Sequence, residues 1–326
     1  MTQNVLIVGG AGYIGSHTTL ALQEAGYTTV VYDDFSTGHR DACFGDHLVE
    51  GRMSDTAKLT DTMRRFDIDS VIHFAALIEA GQSVLTPLPF FANNVAGTLS
   101  LLEAMQAADV QRIVFSSTAA VYGNHTGNAL LSEDLPRAPI NPYGDSKAMV
   151  ETILESCVAA HGLQAIALRY FNAAGADAQA RSGERHDPET HLIPLVIQAA
   201  QGIRPQINIY GTDYDTPDGT CIRDYIHVSD LALGHVAALS RLAQDPQPRF
   251  TPINLGTGQG LSVRDIITAV KEVSGQDFAM VETDRRPGDP ALLVADPARA
   301  HHMLGWRATH SDIHQIVKDA WQYAHR

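Results

Sequence analysis

The first half of the chain alternates short runs of β-branched and other apolar residues with longer stretches whose apolar positions repeat every three or four residues. The short runs predict buried strands, and the stretches between them predict helices with one buried face. The predicted strands are residues 5–8, 28–32, 47–49, 71–74, 113–116 and 164–169. Strands that alternate with helices predict a parallel sheet covered by helices on both sides.

One helical pattern in this half consists of Val95, Leu99, Leu102 and Met105, whose spacing predicts a single buried face. After Asn172 the alternation weakens. Residues 176–191 are rich in Gly, Asp, Arg and His, which predicts a mobile loop. A further strand–turn–helix unit is predicted within residues 253–274.

The change in pattern predicts an α/β protein of two domains. The first is a doubly wound parallel sheet made of residues 1–171, with a returning segment near 222–248. The second is a smaller mixed α/β domain made of residues 172–221 and 249–326. A chain of 326 residues is long enough for this, because single cores stop growing near about 250–300 residues.

Composition and charge narrow the classes of function. The formal charge is −14 and no cluster of Lys and Arg occurs, which argues against nucleic acid or an anionic membrane as partner. No apolar run is long enough for a membrane span, and the N-terminal residues do not resemble a signal peptide. Cys43, Cys157 and Cys221 are odd in number and far apart, so we expect a reducing, cytoplasmic location.

A glycine-rich segment follows directly after the first predicted strand. Gly10, Gly12 and Gly15 match the dinucleotide-binding motif, and Gly9, Gly12 and Gly15 match a close variant. Glycines there permit a tight turn and a close approach to pyrophosphate, while the following helix presents free N–H groups. Asp33 ends the second strand, where an acid binds the adenosine ribose, which favours NAD over NADP.

Tyr143 and Lys147 lie four residues apart behind Pro142, so they share one face in the first turns of a predicted helix. A phenol has an unperturbed pKa of about 10 and is a poor base at neutral pH. A neighbouring ammonium lowers that pKa, but reaching about 7 requires roughly 4 kcal/mol. A second positive charge, such as oxidised nicotinamide, would help. Without other motifs, such a pair also occurs by chance.

Other motifs accompany the pair, at residues 73–76, 118–123, 169–172, 219–228 and 285–289. Together with the glycine segment, they make the chain resemble nucleotide-sugar 4-epimerases of the extended short-chain dehydrogenase/reductase family, essentially from end to end. The resemblance implies a Rossmann-type sheet and tightly bound NAD. It also implies interconversion of UDP-glucose and UDP-galactose through a transient 4-keto sugar, in a homodimer formed by helices near 95–108 and 142–160.

The same resemblance implies roles for individual residues. Tyr143 would be the acid/base group, Lys147 would hold the nicotinamide ribose and lower the pKa of Tyr143, and Thr118 would bind the reacting oxygen. The implied cofactor contacts are Gly9, Gly12, Tyr13, Ile14, Gly15, Asp33, Phe74, Asn93 and Lys147. The implied substrate contacts are Thr118, Tyr143, Asn172, Arg223, Arg286, Asp289 and Leu293.

Several positions distinguish this chain from its relatives. Ala119 and Ala120 occupy the place of an acidic pair in sugar-nucleotide 4,6-dehydratases and cannot transfer protons, which argues against dehydration. Arg52 replaces an Asp that commonly accepts a hydrogen bond from adenine, and arginine cannot accept one. Leu293, at a position that gates sugar size, is intermediate in bulk, so UDP-xylose/UDP-arabinose or UDP-N-acetylhexosamines stay open as substrates.

Two further alternatives concern the class of site. A non-catalytic NAD-binding regulator is less favoured, because such relatives generally lack the tyrosine–lysine pair. His186 and His191 lie near Asp187 and Glu189, but their spacing fits no zinc motif. We therefore predict a polar loop that covers the substrate, and no metal.

Overall fold

The computed structural model describes residues 3–124, 130–286 and 289–326. Its strands are β1 (Asn4–Val8), β2 (Thr28–Asp33), β3 (His47–Glu50), β4 (Ser70–His73), β5 (Arg112–Ser116), β6 (Gln164–Tyr170), β7 (Asn172–Ala174), β8 (Gln206–Tyr210), β9 (Ile222–Arg223), β10 (Tyr225–His227), β11 (Arg249–Leu255), β12 (Leu261–Ser262), β13 (Ala279–Thr283) and β14 (Leu292–Leu293).

The helices are α1 (Tyr13–Glu24), α2 (Thr56–Arg65), α3 (Ala80–Leu85), α4 (Pro87–Phe90), α5 (Gly97–Ala107), α6 (Pro142–His161), α7 (Leu192–Ala200), α8 (Val228–Gln244), α9 (Val263–Ser274), α10 (Ala298–Leu304) and α11 (Ile313–Ala324). Short 3-10 turns span Arg40–Ala42 and Ala119–Tyr122, and Phe91–Ala96 is π-helical. Within the described residues, no helix combines the length and apolar character needed to cross a bilayer.

Within these ranges, seven strands form one parallel sheet in the order β11-β6-β5-β4-β1-β2-β3. Leu6 and Val8 of β1 join one buried cluster, and Val5 and Ile7 join another on the opposite side. Residues of α2, α5 and α6 complete the first cluster, and residues of α1 and α8 complete the second. Both faces are covered, which explains the unbroken apolar runs. The predicted Rossmann-type fold class is confirmed.

The smaller part of the protein has its own core. Strand pairs β7–β10 and β8–β13 and the mixed group β12–β9–β14 make up its described sheets. Val196 of α7, Ile266 of α9 and Ile316 of α11 are buried together beneath them. This second core lies in the residues that follow Asn172, where the sequence pattern weakens.

Two local predictions differ from the structure. The sequence pattern places residues 249–255 in the second domain, but β11 pairs in parallel with β6, and its Ile253 and Leu255 are buried in the main core. The returning segment therefore extends through β11, while the two-domain division itself stays a prediction. The helical spacing predicts a buried Leu99, but this side chain is 44% exposed, because α5 buries the face that carries Leu101 and Met105 and Leu99 lies outside that face.

Helix α6, which carries Tyr143 and Lys147, begins and ends with strong local signals. The Asn141 side chain accepts a hydrogen bond from the Gly144 N–H at 2.9 Å, and Pro142 occupies the first helical position. Gly162 ends the helix in the left-handed conformation at φ 73°. An N-cap of this kind is worth about 1 kcal/mol, so the first turn of α6 is well defined.

Candidate active site

The turn between β1 and α1 has no room for a side chain at Gly9 or Gly15. Gly9 adopts φ +82°, and a Cβ there would lie 2.5 Å from the Ala75 nitrogen. A Cβ on Gly15 would lie 2.3 Å from the Gly9 carbonyl oxygen. Gly12 caps α1 without a side-chain hydrogen bond, so the first N–H groups of the helix face the adjoining cavity. A helix N-terminus in a side-chain-free cradle suits a pyrophosphate.

Asp33 lies at the end of β2 beside this turn. Its Oδ2 accepts a hydrogen bond from the Ala11 N–H at 2.9 Å, and its Oδ1 accepts one from the Phe35 N–H at 2.8 Å. Burial raises the pKa of Asp33, while these hydrogen bonds lower it. The carboxyl group thus orders the glycine turn and also lines the cavity, where it fits a ribose diol.

The predicted cofactor contacts Tyr13, Ile14, Phe74 and Asn93 also line the cavity. The Tyr13 hydroxyl donates to the Gly175 carbonyl at 2.7 Å, which connects α1 to the chain beyond the main sheet. Ile14 and Phe74 pack against the second core cluster. The Asn93 amide donates to Asn94 Oδ1 at 3.0 Å.

Thr118 and Tyr143 meet at the carboxyl end of β5. The Thr118 hydroxyl accepts a hydrogen bond from the Ala120 N–H at 3.1 Å, which starts the 3-10 turn. Burial raises the pKa of Tyr143, and a side-chain hydrogen bond with Thr118 lowers it. Open α/β sheets bind ligands at this end, so the two hydroxyls are placed for chemistry.

Lys147 lies one turn after Tyr143 but is buried behind it. Its ammonium group donates to the Ser116 carbonyl at 2.7 Å and lies 4.8 Å from the Phe115 ring centre. Burial lowers the pKa of Lys147 to about 7, and the charge of Glu151 opposes that shift. Burial of the phenol outweighs its hydrogen bond with Thr118, so the pKa of Tyr143 is raised overall. The lowering of this pKa by Lys147 that the resemblance implies stays a prediction.

The cavity has a volume of about 570 Å³ and spans the glycine turn, the hydroxyl pair and the smaller core. Predicted site residues on its described wall are Gly9, Gly12, Tyr13, Ile14, Gly15, Asp33, Phe74, Asn93, Thr118, Tyr143, Asn172, Arg223 and Arg286. Lys147, Asp289 and Leu293 are not on that described wall. Arg204, Asn208 and Tyr210 also line the cavity, although no sequence motif marks them. Asn208 and Tyr210 alternate along β8 with buried Ile207 and Ile209, and this alternation is the signal that could have found them.

Charged residues gather at the far end of the cavity. Arg223 donates to Asp289 Oδ1 at 3.2 Å and to the Pro290 carbonyl at 2.9 Å, so Asp289 orients the guanidinium group. Arg286 is exposed and stacks over the Tyr210 ring at 4.0 Å. Asn172 is held by its backbone N–H, which donates to the Asp224 carbonyl at 2.9 Å. Residues 287 and 288 of the predicted motif lie outside the described residues.

Two residues that depart from the family pattern are also located. Leu293 packs against a small cluster that contains Ala119 and Phe171, so Phe171 rather than Leu293 lines the cavity. The role of Leu293 as a gate on sugar size stays a prediction. The Arg52 side chain is exposed, and its carbonyl accepts a hydrogen bond from the Tyr32 hydroxyl at 3.0 Å.

The histidine-rich loop forms a cluster beside the cavity. Ligand atoms of Glu184, His186, Glu189 and His191 lie within 4.8 Å of one another, and Glu184 takes the place that sequence analysis gave to Asp187. His191 Nδ1 lies 2.9 Å from Glu189 Oε1 and 3.0 Å from Glu184 Oε1. Burial lowers the pKa of His186, but the carboxylates of Glu184 and Glu189, at 3.4 and 3.5 Å from its Nδ1, raise it to about 10. Two carboxylates thus lie beside two imidazole rings whose pKa values are raised, and the absence of a metal stays a prediction.

A Rossmann-type sheet, a glycine turn, and a threonine–tyrosine–lysine group at the same sheet edge define a dinucleotide-dependent enzyme of the short-chain dehydrogenase/reductase type. The model of the NAD dependent epimerase/dehydratase family matches residues 5–256. The UDP-glucose 4-epimerase of Azospirillum brasilense is 48% identical and covers 97% of this chain and 90% of its own. The chain therefore belongs to the NAD dependent epimerase/dehydratase family.

Solved structures of UDP-glucose 4-epimerases are similar to this protein in fold. The crystal structure of UDP-glucose 4-epimerase from Brucella ovis in complex with NAD superposes with a TM-score of 0.95 at 46% identity, covering 99% of this chain and 98% of that one. The enzyme from Bifidobacterium longum in complex with NAD+ and UDP gives a TM-score of 0.93 at 36% identity, with the same coverage. Both similarities extend over the two parts of the molecule.

Proposed function

We propose that this protein is a 4-epimerase that interconverts UDP-galactose and UDP-glucose and keeps NAD bound throughout. The observation that carries the proposal is a single cavity with a glycine turn at one end, Thr118 and Tyr143 in the middle, and Arg223 at the other end. The similarity to epimerases crystallised with NAD and with UDP supports it.

NAD fits the residues that are present. The cradle around Gly9 and Gly15 excludes any Cβ, and Asp33 offers a carboxylate to a ribose while disfavouring the extra phosphate of NADP. Lys147 would hold the nicotinamide ribose. When bound, NAD supplies a hydride acceptor and donor for the sugar C4 and a positive charge near Tyr143.

Tyr143 would take the proton from the C4 hydroxyl and later return it, while the Thr118 hydroxyl holds the same oxygen. Because burial raises the pKa of Tyr143, the phenolate needs nearby positive charge. Lys147, one helical turn away, supplies such a charge while it is protonated, and burial lowers its pKa to about 7. Ala119 and Ala120 carry no acid or base, so oxidation at C4 would not continue to loss of water.

The UDP part would anchor the substrate while the sugar turns. Arg223 is pre-oriented by Asp289, and a guanidinium fork makes paired charged hydrogen bonds to a diphosphate. Asn172 and Arg286 complete the proposed contacts. A sugar held only through its nucleotide can present either face to the hydride carrier, which inversion at C4 requires.

The proposal extends to assembly and location. Leu99 of α5 and Met149 of α6 are 44% and 46% exposed, which supports a homodimer formed through these helices. Three unpaired cysteines support a cytoplasmic location.

The experiment is an incubation of the purified protein with UDP-galactose and no added NAD, followed by chromatography of the nucleotide sugars. We expect UDP-glucose to form. Bound NAD without any conversion would contradict the proposal and favour a non-catalytic regulator. UDP-xylose and UDP-N-acetylglucosamine in parallel incubations would define the substrate range and the part played by Leu293.

A further inference from the structure

Glu151 continues the line of active-site residues along α6. It follows Tyr143 and Lys147 at the same four-residue spacing, so the three side chains share one helix face. Its side chain is fully buried. A buried carboxylate beside a catalytic pair needs compensating partners, since desolvation of an isolated charge is costly.

The hydrogen-bond partners of Glu151 connect it to the chain just before Thr118 and to the end of the turn that follows Thr118. Glu151 Oε1 accepts hydrogen bonds from the Ser117 hydroxyl at 2.6 Å and from Arg169 Nε at 3.0 Å, and Oε2 accepts from Arg169 Nη2 at 2.6 Å. Ser117 immediately precedes Thr118. Arg169 also donates to the Tyr122 hydroxyl at 3.1 Å, at the end of the 3-10 turn that Thr118 begins.

The charge of Glu151 also acts on Lys147. Burial lowers the pKa of Lys147, and the Glu151 carboxylate raises it. From the neighbouring strand β4, His73 faces Lys147, but burial lowers the pKa of this histidine to about 3, so it is neutral. On its other sides Glu151 faces Arg169 of β6 and the Arg137 guanidinium at 3.3 Å.

We propose that Glu151 is a positioning residue that, through Ser117 and Arg169, fixes the Thr118 segment opposite Tyr143 and also places a carboxylate one helical turn from Lys147. This inference rests on the proposed function. It assigns no contact with substrate or cofactor to Glu151, which acts only through other residues.

The first measurement compares steady-state kinetics with UDP-galactose for three variants. Glu151→Gln should lower kcat about 100-fold, since a shift of about 1 Å in a reacting group can cost that much, with KM within about twofold of wild type. Ser117→Ala removes a single hydrogen bond to a charge and should lower kcat at least about fivefold. Glu155→Gln is the matched control, because Glu155 binds the same Arg137 at 3.1 Å but is 43% exposed. It should match wild type.

The second measurement needs no turnover. The sequence contains lysine only at positions 58, 147, 271 and 318, so nuclear magnetic resonance of isotope-labelled lysine can follow Lys147 as the signal missing from Lys147→Arg. The pKa of Lys147 should be lower in Glu151→Gln than in wild type. It should be unchanged in Ser117→Ala and Glu155→Gln, both of which retain the Glu151 charge.

A folded Glu151→Gln protein with wild-type kcat, or with the wild-type pKa of Lys147, would overturn the inference. If Glu151→Gln fails to fold because Arg169 loses its partner, Ser117→Ala decides: wild-type kcat would overturn the proposal and reduced kcat would support it. Wild-type protein without epimerase activity would refute the proposed function instead, and the lysine titration would still test the effect of Glu151 on Lys147.

Discussion

Two alanine substitutions in the glycine turn, Gly15→Ala and Gly12→Ala, should have different effects. The first should lower stability through crowding of the backbone, and the second should weaken only the binding of NAD. A Cβ on Gly15 would lie 2.3 Å from the Gly9 carbonyl oxygen and 2.9 Å from Gly10 Cα, both of which are backbone atoms. Gly15→Ala must therefore move the turn itself. Overpacking of this kind costs about 1–3 kcal/mol, and each kcal/mol lowers Tm by roughly 2–4 °C in a large domain.

Gly12→Ala should behave differently. Its Cβ would lie 3.5 Å from the Gly9 carbonyl oxygen, an ordinary contact, and its φ of −80° suits alanine. Its stability should stay within about 1 kcal/mol of wild type. The new methyl group faces the cavity at the start of α1, where a phosphate would approach the backbone. We expect NAD affinity to fall at least about tenfold, or 1.4 kcal/mol.

The assay pairs thermal unfolding, followed by circular dichroism, with the amount of NAD released per chain after acid treatment. Gly81→Ala is the control, because a methyl group added to Gly81 on the exposed helix α3 would meet no atom within 4 Å. Gly15→Ala should lose both stability and NAD, Gly12→Ala only NAD, and Gly81→Ala neither. A Gly15→Ala protein as stable as wild type would refute the packing argument, and a Gly12→Ala protein with full NAD content would refute the phosphate site.

Three further predictions concern the chemistry and its setting. Tyr143→Phe should keep the fold and the bound NAD but lose at least about 10²-fold in kcat, and normal turnover would contradict its role. Arg223→Ala should weaken UDP binding about tenfold or more in a calorimetric titration, because charged hydrogen bonds are lost, whereas unchanged affinity would exclude a UDP contact. Burial lowers the pKa of Lys147 to about 7, so above pH 7 the unfolded chain binds more protons and unfolding becomes less favourable. The free energy of unfolding of wild type relative to Lys147→Met should therefore rise from pH 7 to 9 by up to about 1.4 kcal/mol per unit, and a constant difference would contradict the burial argument.

Local signals in the sequence are sufficient to predict the sheet and the nucleotide turn. Strands such as β1 are apolar on both faces. Gly15 lies so close to the Gly9 backbone that no residue with a Cβ fits there. The structure also shows features that the sequence does not predict, such as pairing between strands that are far apart in the chain. β11 pairs with β6, although residues 172–221 of the smaller part of the protein lie between them in the chain. Leu99 is exposed because α5 buries the face of Leu101 and Met105, and apolar residues on more than one side of a helix do not by themselves show which face packs inward.

The candidate site likewise contains residues that local motifs predict and contacts that depend on distant segments. Thr118 and Tyr143 can be predicted together because each follows a recognisable local motif, and they meet as expected. The bond of Lys147 to the Ser116 carbonyl and the orientation of Arg223 by Asp289 depend on tertiary packing that spacing does not specify. The gate that the resemblance assigns to Leu293 stays a prediction: Leu293 packs against the cluster that contains Phe171, and Phe171 is on the described wall of the cavity.

The central claim is that C4 of a UDP-sugar is oxidised and reduced again within one cavity. The most direct test is incubation of the purified protein, without added NAD, with UDP-galactose that carries deuterium at C4. We predict that UDP-glucose forms and keeps the deuterium at C4, because the hydrogen removed from carbon is returned there without exchange with water. Failure to form UDP-glucose, or UDP-glucose in which solvent hydrogen has replaced the deuterium, would contradict the account.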